Sequence, residues 1–279
     1  MNGTVKIARI AAGGKCAAAV IVNGGARVVG GWQEGDPLAS PFVLPEAADL
    51  ASGSGDFVPD GAFSFLPPLS SVTKVICLGL NYRDHAEETG EAPPENPALF
   101  IKFPDALVGH DRPIIRPKVS AAFDFEGEIA VVIGKPGRHI AKADAMKYVY
   151  GYTALMDGSI RDYQQHSATA GKCFHQSGSL GPWIVPADAI DDLEAMTLET
   201  RLNGERVQST SVDMMIYDIA TAIAYVSQWT PLNRGDIIST GTPSGVGAVR
   251  TPPLWMKAGD AIEVSVGGVG TLKNHVANE

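Results

Sequence analysis

A chain of 279 residues, 45% hydrophobic and 19% charged, holds enough apolar material for one large domain, or one with a small companion, and excludes general disorder. Its 31 glycines and 19 prolines argue against a helical bundle, whose helix interiors accept neither residue well, and favour a turn-rich, strand-heavy fold. A net charge of −9 without a basic stripe argues against nucleic acid or another polyanion as partner.

The first seventy residues read as short apolar pieces broken by glycine and proline. Residues 5–10 and 18–22 are expected strands, residues 49–60 a Gly/Ser/Asp-rich loop, and residues 65–69 (Phe-Leu-Pro-Pro-Leu) a stiff connector. A composition shift near residue 70 suggests a small N-terminal domain, 1–70, and a larger one, 71–279. Residues 74–78 follow as a buried strand. Residues 81–90 read as a short helix with Asn81 as N-cap and Gly90 as its C-terminal stop. Residues 92–97 form a proline-stiffened loop, 129–133 a β-branched strand, 141–148 a helix and 150–156 another apolar strand. The clearest helical spacing lies in 213–228, where Met214, Met215, Ile219, Ala222, Ile223 and Val226 recur on one face. Beyond it, residues 237–238, 262–264 and 271–272 are short strands among glycines.

Cys16, Cys77 and Cys173 are widely separated and form no CxxC pair, so neither a disulfide framework nor a zinc site is expected. No run approaches the ~18 apolar residues of a membrane helix, and the start of the chain lacks a signal-peptide layout. A soluble cytoplasmic protein with reduced thiols is expected. Known phosphate and nucleophile motifs fail: Gly171-Lys172 is followed by Cys173 rather than Ser or Thr, and no GxSxG surrounds Ser179 or Ser244. Gly245-Val246-Gly247 lacks its third glycine, with Arg250 in that place.

The informative segment is Asp124-Phe125-Glu126-Gly127-Glu128, which runs into the apolar strand. At i and i+2 of a strand, Glu126 and Glu128 face the same way, where two like charges are costly unless protonated or paired with a cation. Asp157 ends the next apolar run, completing three oxygen donors without a His or Cys cluster. That set suits a hard ion, Mg²⁺ or Mn²⁺, with Ca²⁺ an alternative. A solvated strand end is the plain alternative reading. His85 and Glu88, three apart on the short helix, form an imidazole–carboxylate pair able to take a proton from water, or an ordinary surface pair. Lys172 is either an electrophilic contact or a solvated lysine. Thr242, in the run Ser239-Thr240-Gly241-Thr242-Pro243, is either a carboxylate cradle or a simple turn.

Taken in order, these motifs resemble the fumarylacetoacetate hydrolase family. The matching text comprises residues 79–88 (Gly-Leu-Asn-Tyr-Arg-Asp-His-Ala-Glu-Glu), 97–102, 124–128, Met156-Asp157, 161–164, Gly171-Lys172, 180–183 and 239–243, within about residues 70–276. The resemblance implies an α+β, β-rich fold, the family's mixed β-roll with a small N-terminal domain, usually as a homodimer. It implies Glu126, Glu128 and Asp157 as metal ligands, His85 and Glu88 as a catalytic dyad on a lid helix, and Lys172 as the oxyanion contact. Lys102, Arg161, Gln164 and Thr242 match substrate-contacting positions. The chain departs from the family pattern at residues 173–179, which border the expected pocket and place His175 as a substrate contact or a wall residue.

The leading expectation is metal-dependent hydrolysis of a C–C bond in a small 2,4-diketo acid, an acylpyruvate or a sugar-derived diketo acid, releasing pyruvate or a related 2-oxo acid. Oxaloacetate decarboxylation is the runner-up, with isomerisation or hydration of an unsaturated 2-oxo acid third. A rival of another class is a metal-stabilised binding protein without catalysis.

Overall fold

Small and β-branched residues dominate Ile7–Ala12, Lys15–Val22, Val75–Gly79, Gly127–Ile133 and Val149–Met156, and each of these runs is a strand. The computed structural model describes residues 4–35, 40–46, 49–50 and 55–279. Among them the fold is strand-rich, with the α+β, β-roll architecture expected. The largest sheet has twelve strands. Its order runs Phe57–Pro59, Gly25–Glu34, Lys15–Val22, Ile7–Ala12, Gly178–Pro186, Val149–Met156, Gly127–Ile133, Ile237–Ser239, Val75–Gly79, Ala98–Lys102. Two further strands attach at the side, Ser64–Leu66 on Ile7–Ala12 and Leu107–Val108 on Gly178–Pro186. A five-stranded sheet (Glu205–Ser211, Thr197–Leu202, Ala261–Val266, Gly270–Asn278, Pro113–Arg116) packs against the middle of the large one, and Leu198, Val264 and Leu272 join Ile129, Val131 and Ala154 in one buried cluster.

The N-terminal strands have an apolar cluster of their own, built on Ile10, Ala19, Ala26 and Val28, and reach the central strands through the pair Ile7↔Ile184. Part of the expected 49–60 loop, residues 51–54, lies outside the described residues, while Phe57–Pro59 is a short strand. The connector at 65–69 begins as strand Ser64–Leu66.

Three helices differ from their sequence reading. The short one spans Arg83–Thr89 and ends at Gly90, whose φ of 71° is the left-handed stop expected of glycine. Its N-cap is Tyr82, with no side-chain cap bond. Asn81 is instead fully buried, its amide nitrogen donating to the Tyr217 and Thr240 carbonyls and its oxygen accepting from Tyr217 N. The long helix starts at Ile219, capped by the Asp218 side chain accepting from Thr221 N at 2.7 Å. Met214 ends a separate 3₁₀ turn, Val212–Met214, and Met215 is extended, bridging to Tyr82. The apolar methionines fit the helical period, yet Met215 is drawn off to Tyr82 at the start of the short helix and Met214 packs against the main core cluster. Residues 141–148 form a 3₁₀ helix, Lys142–Tyr148, rather than an α-helix.

Candidate metal and catalytic site

The strand Gly127–Ile133 is buried along its whole length, between Val149–Met156 on one side and Ile237–Ser239 on the other. Its start therefore delivers Glu128, and Glu126 just before it, to the interior. The antiparallel register pairs Gly127 with Met156, so Glu126 lies beside Asp157, and Asp157 N donates to the Glu126 carbonyl at 2.8 Å. Glu126, Glu128 and Asp157, all buried, each present a carboxylate oxygen within 4.8 Å of the others. The all-oxygen set fits a hard divalent cation.

Three cations surround the cluster. Lys172 Nζ lies 2.5 Å from Glu126 Oε2 and 3.1 Å from Asp157 Oδ2. Arg161 Nη2 lies 2.7 Å from both Asp124 Oδ2 and Glu126 Oε1. Lys102, fully buried, donates to Asp157 Oδ1 at 2.7 Å and to the Lys172 carbonyl. Glu128 has neutral donors instead: the Ser239 hydroxyl and Gly241 N, the latter at 3.2 Å. The charges divide accordingly. Burial would raise Glu126, but Lys172 and Arg161 hold it well below the usual carboxylate range. Burial, reinforced by the Asp157 and Glu126 charges, pushes Glu128 up to about 8. Burial contributes most to that shift and the neighbouring carboxylates add to it, while the all-oxygen donor set fits a divalent cation. Burial opposes the Lys172 ammonium, but Asp157 and Glu126 outweigh it and keep this lysine firmly protonated.

Above the cluster lies a cavity of about 580 Å³. Its polar end carries His85, Glu126, Arg161, Gln164, Lys172 and Thr242; its other walls are Leu99, Phe100, Val246 and Val249. Lys172 Nζ also sits 5.2 Å from the centre of the Phe100 ring. His85 Nδ1 is 3.2 Å from Glu88 Oε2, and Glu88 Oε1 accepts from Gly245 N at 2.8 Å. One glutamate thus fixes the imidazole while itself held by the chain.

The other expected substrate contacts are placed differently. Lys102 does not line the cavity; it lies beneath the cluster as the partner of Asp157. Arg161 and Gln164 do line it, linked to each other by Nη1 donating to Gln164 Oε1 at 2.9 Å. Thr242 lines the cavity, but its hydroxyl donates to the Gly127 carbonyl at 3.0 Å and accepts from Gln208 Nε2 at 2.8 Å. His175 is exposed, and none of residues 173–179 lines the cavity. Two supporting residues escaped the motif reading. Asp124 accepts from Gly247 N, Ala248 N and Arg161 Nε, and Gln208 ties Gly127 N to the Thr242 hydroxyl and the Pro243 carbonyl. Asp124 stood inside the acidic motif and carried a signal; Gln208 had none.

Comparison with known proteins yields a consistent set. The fumarylacetoacetate (FAA) hydrolase C-terminal model matches residues 74–277. A mitochondrial oxaloacetate tautomerase of Rattus norvegicus is 42% identical over 222 residues, 78% of this chain and 71% of that protein. Among solved structures, a fumarylacetoacetate hydrolase of Exiguobacterium antarcticum has a TM-score of 0.82 at 32% identity, covering 99% of this chain and 100% of that one. A 2-hydroxyhepta-2,4-diene-1,7-dioate isomerase of Mycobacterium marinum has a TM-score of 0.79 at 31% identity, covering 99% of each chain.

Proposed function

The chain belongs to the fumarylacetoacetate hydrolase family, and we propose that its site enolises a small anionic 2-oxo acid, with keto–enol tautomerisation of oxaloacetate as the leading reaction. The observation that carries this reading is convergence: a base, His85, and two cations, Lys172 and Arg161, line the same cavity as Glu126 of the carboxylate cluster. Similarity to an oxaloacetate tautomerase and to a dienedioate isomerase favours proton transfer over bond cleavage.

Glu88 accepts a hydrogen bond from His85 Nδ1, which leaves Nε2 as the free base. Nε2 removes a proton from the carbon next to the 2-oxo group. The Lys172 ammonium, protonated at neutral pH, donates to the oxygen on which negative charge develops. Reprotonation at that oxygen gives the enol, so one proton moves from carbon to oxygen and no bond between heavy atoms breaks. Arg161, braced by Asp124, presents a fixed positive edge to the substrate carboxylate. A divalent cation held by Glu126, Glu128 and Asp157 would supply Lewis acidity and a template for the 2-oxo acid.

Hydrolysis of an acylpyruvate, the leading expectation from the motifs, is the second reading. The His85–Glu88 contact favours it, because the same Nε2 can deprotonate water. One preparation tests both. Loss of the enol absorbance of oxaloacetate is followed with Mg²⁺ or with EDTA, and pyruvate release from acetopyruvate is measured alongside. Acceleration of the oxaloacetate equilibrium that EDTA abolishes is expected. Cleavage of acetopyruvate alone promotes hydrolysis, CO₂ release from oxaloacetate promotes decarboxylation, and inertness toward all of them sinks the enolisation reading.

A further inference from the structure

Two acids of the helix Arg83–Thr89 stand on the turn that follows the strand Ile237–Ser239. Glu88 does so through Gly245 N, as part of the dyad. Asp84 does so independently. Its Oδ2 accepts from the Ser244 hydroxyl at 2.8 Å and from Ser244 N at 3.3 Å. Its Oδ1 accepts from the His85 backbone N at 2.9 Å. A single carboxylate therefore ties the peptide of the proposed base to Ser244.

The same turn serves the carboxylate cluster at its other end. Ser239 and Gly241 both donate to Glu128, and Thr242 donates to the Gly127 carbonyl. Residues 239–245 thus hold the ligand strand on one side and the dyad helix on the other. That helix is only seven residues long and has no side-chain N-cap bond, so its own backbone gives it little stability. Its place over the cavity depends on side bonds. Asp84 and Ser244 are only half-buried and do not line the cavity. Neither belongs to the core, and neither is placed to touch substrate.

We propose that Asp84 and Ser244 are positioning residues, a charge-assisted hydrogen bond that sets His85 over the carboxylate cluster and acts on the rate only through His85. The proposal rests on the reading of His85 as the base. Rates depend steeply on such placement, since a misplacement of about 1 Å can cost on the order of a hundredfold. Loss of the Ser244 hydroxyl, the shorter of the two Ser244 contacts to Asp84, with Glu88 still seated, is expected to cost about tenfold.

The test is a double-mutant cycle on the Mg²⁺-dependent rate with oxaloacetate or acetopyruvate, whichever is turned over. Ser244→Ala is expected to lower kcat about tenfold with KM, Mg²⁺ affinity and Tm unchanged, and Ser244→Thr, which keeps the hydroxyl, to recover most of it. In a His85→Ala background, Ser244→Ala is expected to change the residual rate by less than about twofold. An unchanged kcat in Ser244→Ala, a parallel loss of Mg²⁺ affinity or Tm, or a full tenfold effect without His85 overturns the proposal. Full activity of His85→Ala alone overturns it together with the base assignment, which separates that failure from one confined to Ser244.

Discussion

Charge balance at the carboxylate cluster makes stability depend on pH in an unusual direction. Asp124, Glu126 and Asp157 each have a cation in contact, from among Arg161, Lys172 and Lys102. Among the described residues no ion pair reaches Glu128, and burial, with the Asp157 and Glu126 charges, raises it from 4.5 to about 8. Between those two values the folded protein keeps the Glu128 proton and the unfolded chain has lost it. The folded state therefore binds more protons, and its stability falls as pH rises through this window, levelling off above the folded value. A gap of about 3.5 pH units at 1.36 kcal/mol each puts the penalty on the order of 5 kcal/mol. A divalent cation on the three carboxylates turns the surplus negative charge into a surplus positive one and holds Glu128 ionised, so bound cation offsets the penalty. Unfolding in urea is to be measured near pH 5.5 and near pH 8, with EDTA or with saturating Mg²⁺. The Mg²⁺-induced stabilisation is expected to be larger at the higher pH by about 3 kcal/mol, the part of that penalty that develops between the two pH values. Equal stabilisation at both pH values, or a larger one in acid, refutes the assignment of the surplus charge to Glu128.

Two further substitutions probe the frame around the ligands. Asp124→Asn takes one of its two carboxylate partners from Arg161, which keeps Glu126, and turns an amide donor toward the N–H of either Gly247 or Ala248; a loss of about 1–3 kcal/mol in unfolding free energy is expected, and a change below about 0.5 kcal/mol would contradict it. Gly158→Ala would place a Cβ 1.8 Å from the Ser177 carbonyl oxygen, so the backbone next to Asp157 must shift. Mg²⁺ affinity measured by calorimetry is expected to fall at least about tenfold, together with a stability loss of about 2 kcal/mol; wild-type affinity would mean that the segment yields without moving Asp157.

The parts of the site that were legible are those in which one element sets the geometry. Glu126 and Glu128 meet because strand period two puts them on one face, and His85 meets Glu88 because helix period puts i and i+3 together. Asp157 was legible as the end of an apolar run, and the antiparallel register Gly127↔Met156 then brings it to Glu126. The illegible parts are those in which the partner is distant in sequence. Lys102 ends an edge strand, and only the packing of Ala98–Lys102 on Val75–Gly79 decides that its ammonium turns inward to Asp157 rather than into the cavity. Asn81 has the composition of a helix cap, but the demand of Tyr217 and Thr240 for buried partners outweighs a local bond worth about 1 kcal/mol. Met214 and Met215 keep the helical period, yet Asp218 starts the helix later and leaves Met215 to bridge Tyr82. Motif spacing thus locates the carboxylates and the His85–Glu88 pair, whereas the cations that decide how those carboxylates ionise are set by tertiary contacts. The placement of the site's acidic groups is written locally; their electrostatic tuning is not.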